Sequence, residues 1–280
     1  MTFPVYINAF GYALHPHVLF ELLGYSAGFQ AYLLLRRRGG AVHVPAEAAM
    51  WILVGCVAGA LVGSKLLTWA EAWPEYWARR GDWRTWLGGK TIVGGLLGGW
   101  AGVEIVKNVL GIRHRTGDGY ALPLCLGIAV GRVGCFLTGL ADHTHGAASA
   151  LPWSVDFGDG VRRHPTQLYE IVWLILLGAL IWLLPFRGKS GAGRGREPIS
   201  DRAEPPSSYA ASGMKFRVFV VGYMLFRFGV EFIKPSWKGY VGLSAIQWAA
   251  LAAAAMAIIS AFGNRPRERH EEDAAQSPLV

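Results

Sequence analysis

Seven runs of about 20 mostly apolar residues, set between charged or Pro/Gly-rich joints, constrain this chain more than anything else in it. They are Val18 to Leu35, Ala48 to Trp69, Leu87 to Leu110, Tyr120 to Leu140, Gln167 to Leu184, Phe216 to Ile233 and Val241 to Phe262. A run of this length spans the hydrocarbon core of a bilayer, where only a helix satisfies all of its own backbone amides. The fold class expected is therefore an all-α integral membrane protein of about seven transmembrane helices over residues 1–263. A small outer cap is expected at about 141–165, between spans four and five. A flexible cytoplasmic loop is expected at about 188–212 and a disordered cytoplasmic tail at 264–280. With 52% hydrophobic and 16% charged residues, the composition excludes an ordinary soluble domain. The first seventeen residues carry no Lys or Arg, so the first span is expected to be retained rather than cleaved as a secretory signal.

The net charge of +8 does not call for nucleic acid, because its distribution explains it. Sixteen basic residues follow spans one, three, five and seven, whereas seven lie in the opposite loops and four within spans. The positive-inside rule then puts the N-terminus outside and the C-terminus in the cytoplasm. Small residues recur every fourth position, as in Gly55, Gly59 and Gly63, which predicts close helix packing. Glycines spread around span three predict either room for a ligand or a local break. The cap is expected to contain a hairpin turning at Gly158-Asp159-Gly160.

Charges inside lipid are costly, and Glu21, Lys65, Lys90, Glu104, Arg132, Glu170, Arg227 and Glu231 all lie in or at the ends of spans. Lys65 and Lys107 are expected to snorkel to an interface. Tyr223, Arg227 and Glu231 recur one turn apart, so Arg227 and Glu231 pair on one helix face. That face is either a structural ion pair or an anion site built on the arginine fork. Arg132, between Gly131 and Gly134, is the strongest local signal for a phosphate group. His164, Gln167, Tyr169 and Glu170 open span five behind Pro165. His17 and Glu21 share a face at the start of span one.

Neither His15/His17 nor His143/His145 is assigned a metal, since His-x-His pairs in loops are more often solvated or hydrogen-bonded, and no cofactor is expected. A neutral histidine near the outer face suits a general base. Cys56, Cys125 and Cys135 fall inside spans and are expected as free thiols. Cys135 reads as a small buried hydrophobe or, alternatively, a covalent nucleophile.

Four motifs together resemble the phosphatidylglycerol:prolipoprotein diacylglyceryl transferase family. They are Gly131-Arg132-Val133-Gly134-Cys135-Phe136, His164-Pro165-Thr166-Gln167-Leu168-Tyr169-Glu170, Tyr223-x-x-x-Arg227-Phe228-x-x-Glu231-Phe232 and Gly88-Gly89-Lys90-Thr91-Ile92-Val93-Gly94-Gly95. The resemblance implies a bacterial inner-membrane enzyme with a periplasmic cap. Its partners would be phosphatidylglycerol or a related anionic phospholipid and a prolipoprotein signal peptide. Arg132 and Arg227 would grip the lipid phosphate, with Tyr223 and Glu231 orienting Arg227. Candidate catalytic groups are Arg132, Arg227, His143, His145 and His164. Candidate substrate-binding residues are Tyr223, Glu231, Gln167, Tyr169, Glu170, Gly131, Gly134, Lys90, His17 and Glu21.

The chain also departs from the family pattern. Val93 stands where the family usually carries a histidine, Cys135 where it carries an asparagine, and Leu140 where it carries a glutamate. Two alternatives therefore stand beside lipobox transfer: a related transferase with a different acceptor, and a non-catalytic phospholipid-binding protein. A small-solute transporter fits less well, because no inverted repeat is visible.

Overall fold

The structure is a computed structural model that describes residues 3–9, 11–38, 44–112, 115–184 and 213–262. The loop at 188–212 and the tail from 264 lie outside the described residues. A short hairpin, β1 (Ile7–Ala9) and β2 (Tyr12–Leu14), precedes α1 (Pro16–Arg37) and α2 (Ala46–Glu71). Two short helices, α3 (Trp73–Ala78) and α4 (Trp83–Leu87), lead to α5 (Ile92–Val109) and α6 (Ala121–Thr138). A second hairpin, β3 (Val155–Asp156) and β4 (Arg162–Arg163), precedes α7 (Thr166–Leu183), α8 (Met214–Val230) and α9 (Ala245–Phe262).

Among the described residues, four helices are long and apolar enough to cross a membrane: α1, α2, α6 with its 3-10 extensions, and α7. Their mean hydropathy is 1.4 to 1.9, and α9 is a shorter apolar helix. The large side chains they leave exposed, such as Leu22, Phe29, Leu53, Leu61, Ile175 and Trp182, suit a lipid surround. The α1–α6 and α2–α5 pairs are antiparallel, and α6–α7, α7–α8 and α8–α9 complete the packing. One end of the bundle therefore gathers the starts of α1, α5, α7 and α9 with the loops 72–91, 139–165 and 231–244. We call it the loop-rich end.

The glycines of α5 serve packing rather than a break or a cavity. A Cβ on Gly98 would overlap the Gly59 carbonyl, and Gly94 and Gly102 approach Gly63 and Gly55 in the same way. Span three begins later than its hydropathy suggests, because Gly89 takes a left-handed φ of +68° that a helix cannot continue through. Thr91 then caps α5, accepting from Gly94 N at 3.2 Å. Lys65 reaches from α2 to this turn at the end of the bundle. Its Nζ donates to the carbonyls of Leu87, Gly88 (2.9 Å) and Gly89 (2.7 Å), groups this turn leaves without backbone partners. Lys107 is buried and pairs with Glu104 at 2.9 Å.

The core lies among α6, α7, α8 and α9. Leu174, Ile181, Phe219, Tyr223 and Met224 are at most 1% exposed, against an alanine stripe of α9 at Ala250, Ala253, Ala254 and Ala257. The β3–β4 hairpin pairs Val155 with Arg163 and Asp156 with Arg162. Asp156 Oδ1 accepts from Gly158 N (2.8 Å) and Gly160 N (3.1 Å), fixing the turn. Phe157, 2% exposed, anchors it with its ring 5.2 Å from that of Phe3 and 5.9 Å from that of Phe136.

Candidate active site

Three helices each bring charged side chains to one buried cluster at the loop-rich end. Arg132 of α6, Glu170 of α7, and Tyr223, Arg227 and the adjoining Glu231 of α8 are all at most 5% exposed. Arg132 Nε lies 2.9 Å from Glu170 Oε2, and Arg227 Nη1 lies 3.2 Å from the same oxygen. Tyr223 donates its hydroxyl to Glu170 Oε1 at 2.6 Å, so it orients Glu170 and not Arg227 directly. The reason is reach: Tyr223 and Glu170 face each other across the α7–α8 contact. Arg227 Nη2 donates to Glu231 Oε1 at 2.9 Å, the pairing expected one turn apart. Ser236 donates to Glu231 Oε2 at 3.1 Å.

A residue absent from the sequence-derived candidates joins this cluster. Lys234 Nζ stands 3.7 Å from Glu231 Oε1. Burial, then the neighbouring Arg227, push its ammonium down to about 8. The signal was present, since 227, 231 and 234 continue one helical face, but Lys234 falls just beyond the apolar run and reads as a loop residue. With it, three cations gather around Glu170 and Glu231, and Glu71 of α2 lies within electrostatic reach of Arg227 and Lys234.

The rim holds a second network. His17 Nδ1 lies 2.7 Å from Asp142 Oδ1, and its Nε2 lies 3.5 Å from Glu21 Oε2. Lys90 Nζ donates to both oxygens of Glu21 at 2.8 Å, and Tyr25 donates to Oε1 at 2.8 Å. Thr144 donates to Asp142 Oδ2 at 2.5 Å and accepts from Gln167 Nε2 at 3.0 Å. Cys135 links the two networks: Arg132 Nη1 donates to its Sγ at 3.7 Å, and His17 Nδ1 lies 4.0 Å away.

The other histidines sit apart from this link. His143 is exposed with φ +53°. His145 Nδ1 lies 3.1 Å from Gly146 O, and its ring rests on Phe157. His164 Nδ1 lies 3.2 Å from the hydroxyl of Tyr169, which in turn accepts from Trp153 Nε1 at 2.8 Å. Sequence reading grouped these histidines by proximity to the cap; it had no means of bringing His17, 118 residues from Cys135, to the arginines. Gly131 faces open space, whereas Gly134 lies against Phe20 and Pro16 of α1. Val93 is fully buried in the apolar core.

One turn from Arg132 and Glu170 along α6 and α7, an apolar groove of about 350 Å³ opens between α1, α6 and α7. Leu34, Leu35, Leu126, Ala129, Leu174 and Ile175 are among its lining residues. Its lining does not include Arg132 or Glu170.

The family model described as prolipoprotein diacylglyceryl transferase matches residues 4–263. The chain is similar to the phosphatidylglycerol–prolipoprotein diacylglyceryl transferase of Bordetella parapertussis, 29% identical over 263 residues, covering 88% of each chain. It is 30% identical to the enzyme of that name from Methylococcus capsulatus over 244 residues, 82% of this chain and 81% of the relative. With that of Solidesulfovibrio magneticus it shares 32% over 231 residues, 76% of this chain and 75% of the relative.

Proposed function

This chain belongs to the prolipoprotein diacylglyceryl transferase family, and on that premise we propose that it moves the diacylglyceryl group of phosphatidylglycerol onto the lipobox cysteine thiol of a prolipoprotein. The observation that carries the reading is the buried cluster of three cations, Arg132, Arg227 and Lys234, around Glu170 and Glu231. A phosphodiester carries negative charge, so the headgroup of phosphatidylglycerol suits a site lined by three cations. The guanidinium forks suit phosphate oxygens. The adjoining groove takes an acyl chain.

In the reaction the thiol sulfur attacks the glyceryl carbon and the carbon–oxygen bond to phosphate breaks. The electron pair leaves on the phosphate oxygen of glycerol phosphate, and the thiol proton passes to water. Charge grows on the leaving phosphate, where Arg132 and Arg227 stabilise it. Glu170 and Tyr223 hold the two arginines in place beforehand. The seven longer helices, α1, α2 and α5 to α9, are read as seven spans of a bacterial inner membrane with the loop-rich end outward. The clusters Arg36–Arg38 and Arg265–Arg269 then lie on the cytoplasmic side, in accord with the positive-inside rule. The loop 141–165 closes over the site as a periplasmic cap.

The test is to incubate the purified protein with labelled phosphatidylglycerol and a lipobox peptide. Diacylglyceryl thioether and glycerol phosphate are expected in equal amounts. Phosphatidylglycerol bound without product would make the protein a lipid binder instead. Arg132→Lys should remove most of the activity, because a point charge does not reproduce the fork; full activity in that variant would refute the phosphate assignment. A second reading, a different acceptor, draws on Val93: its buried place in the core supplies no polar group where the family usually has a histidine. The same assay with other thiols and hydroxyls as acceptors separates the two.

A further inference from the structure

The rim carries a donor set that phosphate binding leaves unused. His17 stands in the first turn of α1, Cys135 in the last turn of α6, and Asp142 in the 3-10 turn that follows α6. One nitrogen, one sulfur and one oxygen from these three elements lie within 4.8 Å of one another. Ligands about 2.0–2.3 Å from a tetrahedral zinc ion lie about 3.3–3.8 Å apart. His17 Nδ1, now 2.7 Å from Asp142 Oδ1 and 4.0 Å from Cys135 Sγ, meets that spacing with shifts below about 1 Å.

The outer partners fit as well. Glu21 Oε2 lies 3.5 Å from His17 Nε2, positioned to hold the ring with Nδ1 turned to the ion. Thr144 donates to the second oxygen of Asp142 at 2.5 Å, leaving Oδ1 for coordination. A thiolate and a carboxylate neutralise a dication, and the nearby Arg132 is paired with Glu170. The Asp142 side chain is 6% exposed and that of His17 26%, so the site is open on the His17 side only.

We propose that His17, Cys135 and Asp142 bind a divalent cation of the zinc class and that its fourth position takes the acceptor thiol. This role for the ion rests on the transferase reading; the site itself does not. Three protein ligands and one open position are the pattern of a catalytic rather than a structural zinc site. A thiol that coordinates such an ion gives up its proton to water. The bound sulfur then attacks the glyceryl carbon, the phosphate oxygen keeps the electron pair of the broken bond, and the ion keeps its oxidation state. Arg132, 3.7 Å from Cys135 Sγ, places the leaving phosphate beside this thiolate. The ion thereby supplies the thiol activation that Val93 does not.

The experiment is a Co(II) titration of the full chain in detergent after stripping with a chelator. One cobalt per chain is expected, with a thiolate-to-cobalt charge-transfer band that zinc displaces. Cys135→Ser should abolish the band, Asp142→Asn should weaken binding strongly, and Glu21→Gln should weaken it about 10- to 100-fold. Asp142→Asn is isosteric and guards against a folding defect in the cysteine variant. No band, or a band that survives Cys135→Ser, overturns the site. Thioether formation by a chain that binds no metal also overturns it and leaves the family reading intact. Bound cobalt with transfer that chelators do not slow removes the thiol-activating role. Bound cobalt with no transfer to any peptide upholds the site and counts against the acceptor.

Discussion

The α2–α5 seam and the α6–α7–α8 cluster hold helices together by opposite means. Along the seam Gly55, Gly59 and Gly63 meet Gly102, Gly98 and Gly94 with no side chain between the backbones. In the cluster Arg132, Glu170, Tyr223, Arg227 and Glu231 fill the space with charge and hydrogen bonds. Lipid tails are as apolar as leucine, so the hydrophobic effect favours neither contact, and shape or polar closure must do so. Shape closes the seam completely. The cluster is closed by charge, and three cations gathered in one buried place are what an anionic ligand can engage.

Breaking the cluster has the largest expected effect. Glu170→Gln removes the carboxylate that Arg132 and Arg227 share, and an uncompensated buried charge costs about 3–5 kcal/mol. Thermal unfolding in detergent should show a large loss of stability that phosphatidylglycerol partly restores, since its phosphate replaces the missing charge. An unchanged Tm would undo the contrast with the seam. Gly98→Val, which drives a side chain into the α2 backbone, should cost about 1–3 kcal/mol, as overpacking does. Phosphatidylglycerol should not rescue that loss preferentially, and KM for the lipid should stay at the wild-type value. A seam variant with altered lipid KM would mean that the two regions are coupled.

The two regions also differed in how readily the sequence disclosed them. Four-residue glycine spacing predicts the seam, because a helix repeats every 3.6 residues and such positions share a face. The same periodicity gave the Arg227–Glu231 pair within one helix. Glu170 bridging both arginines depends on α7 lying between α6 and α8, a tertiary fact with no local trace. The same holds for His17 beside Asp142 and Cys135. The loop between α2 and α5 was misread for a different reason: Gly88-Gly89 continues an apolar run, and hydropathy does not register the left-handed turn at Gly89 that Lys65 caps.

The smallest predicted effect sharpens the comparison most, because stability and ligand binding should respond to pH in opposite directions. Lys234 is faced by Arg227 and Glu231 from its own segment, by Arg132 of α6, by Glu170 of α7 and by Glu71 of α2. Its folded-state value of about 8 lies below the usual 10.5, chiefly through burial. Between those values the unfolded chain holds a proton that the folded chain has lost, so stability in the absence of lipid rises with pH across that window. Anion binding favours charged Lys234. Affinity for phosphatidylglycerol should therefore be level below about pH 8 and fall as pH rises through it. Lys234→Met should weaken binding a few-fold at neutral pH and flatten both profiles. The glycine pairs of the seam carry no titratable group, so Gly98→Val should keep the wild-type shapes of both. If affinity and stability moved together with pH, Lys234 would be a structural cation with no part in binding the lipid.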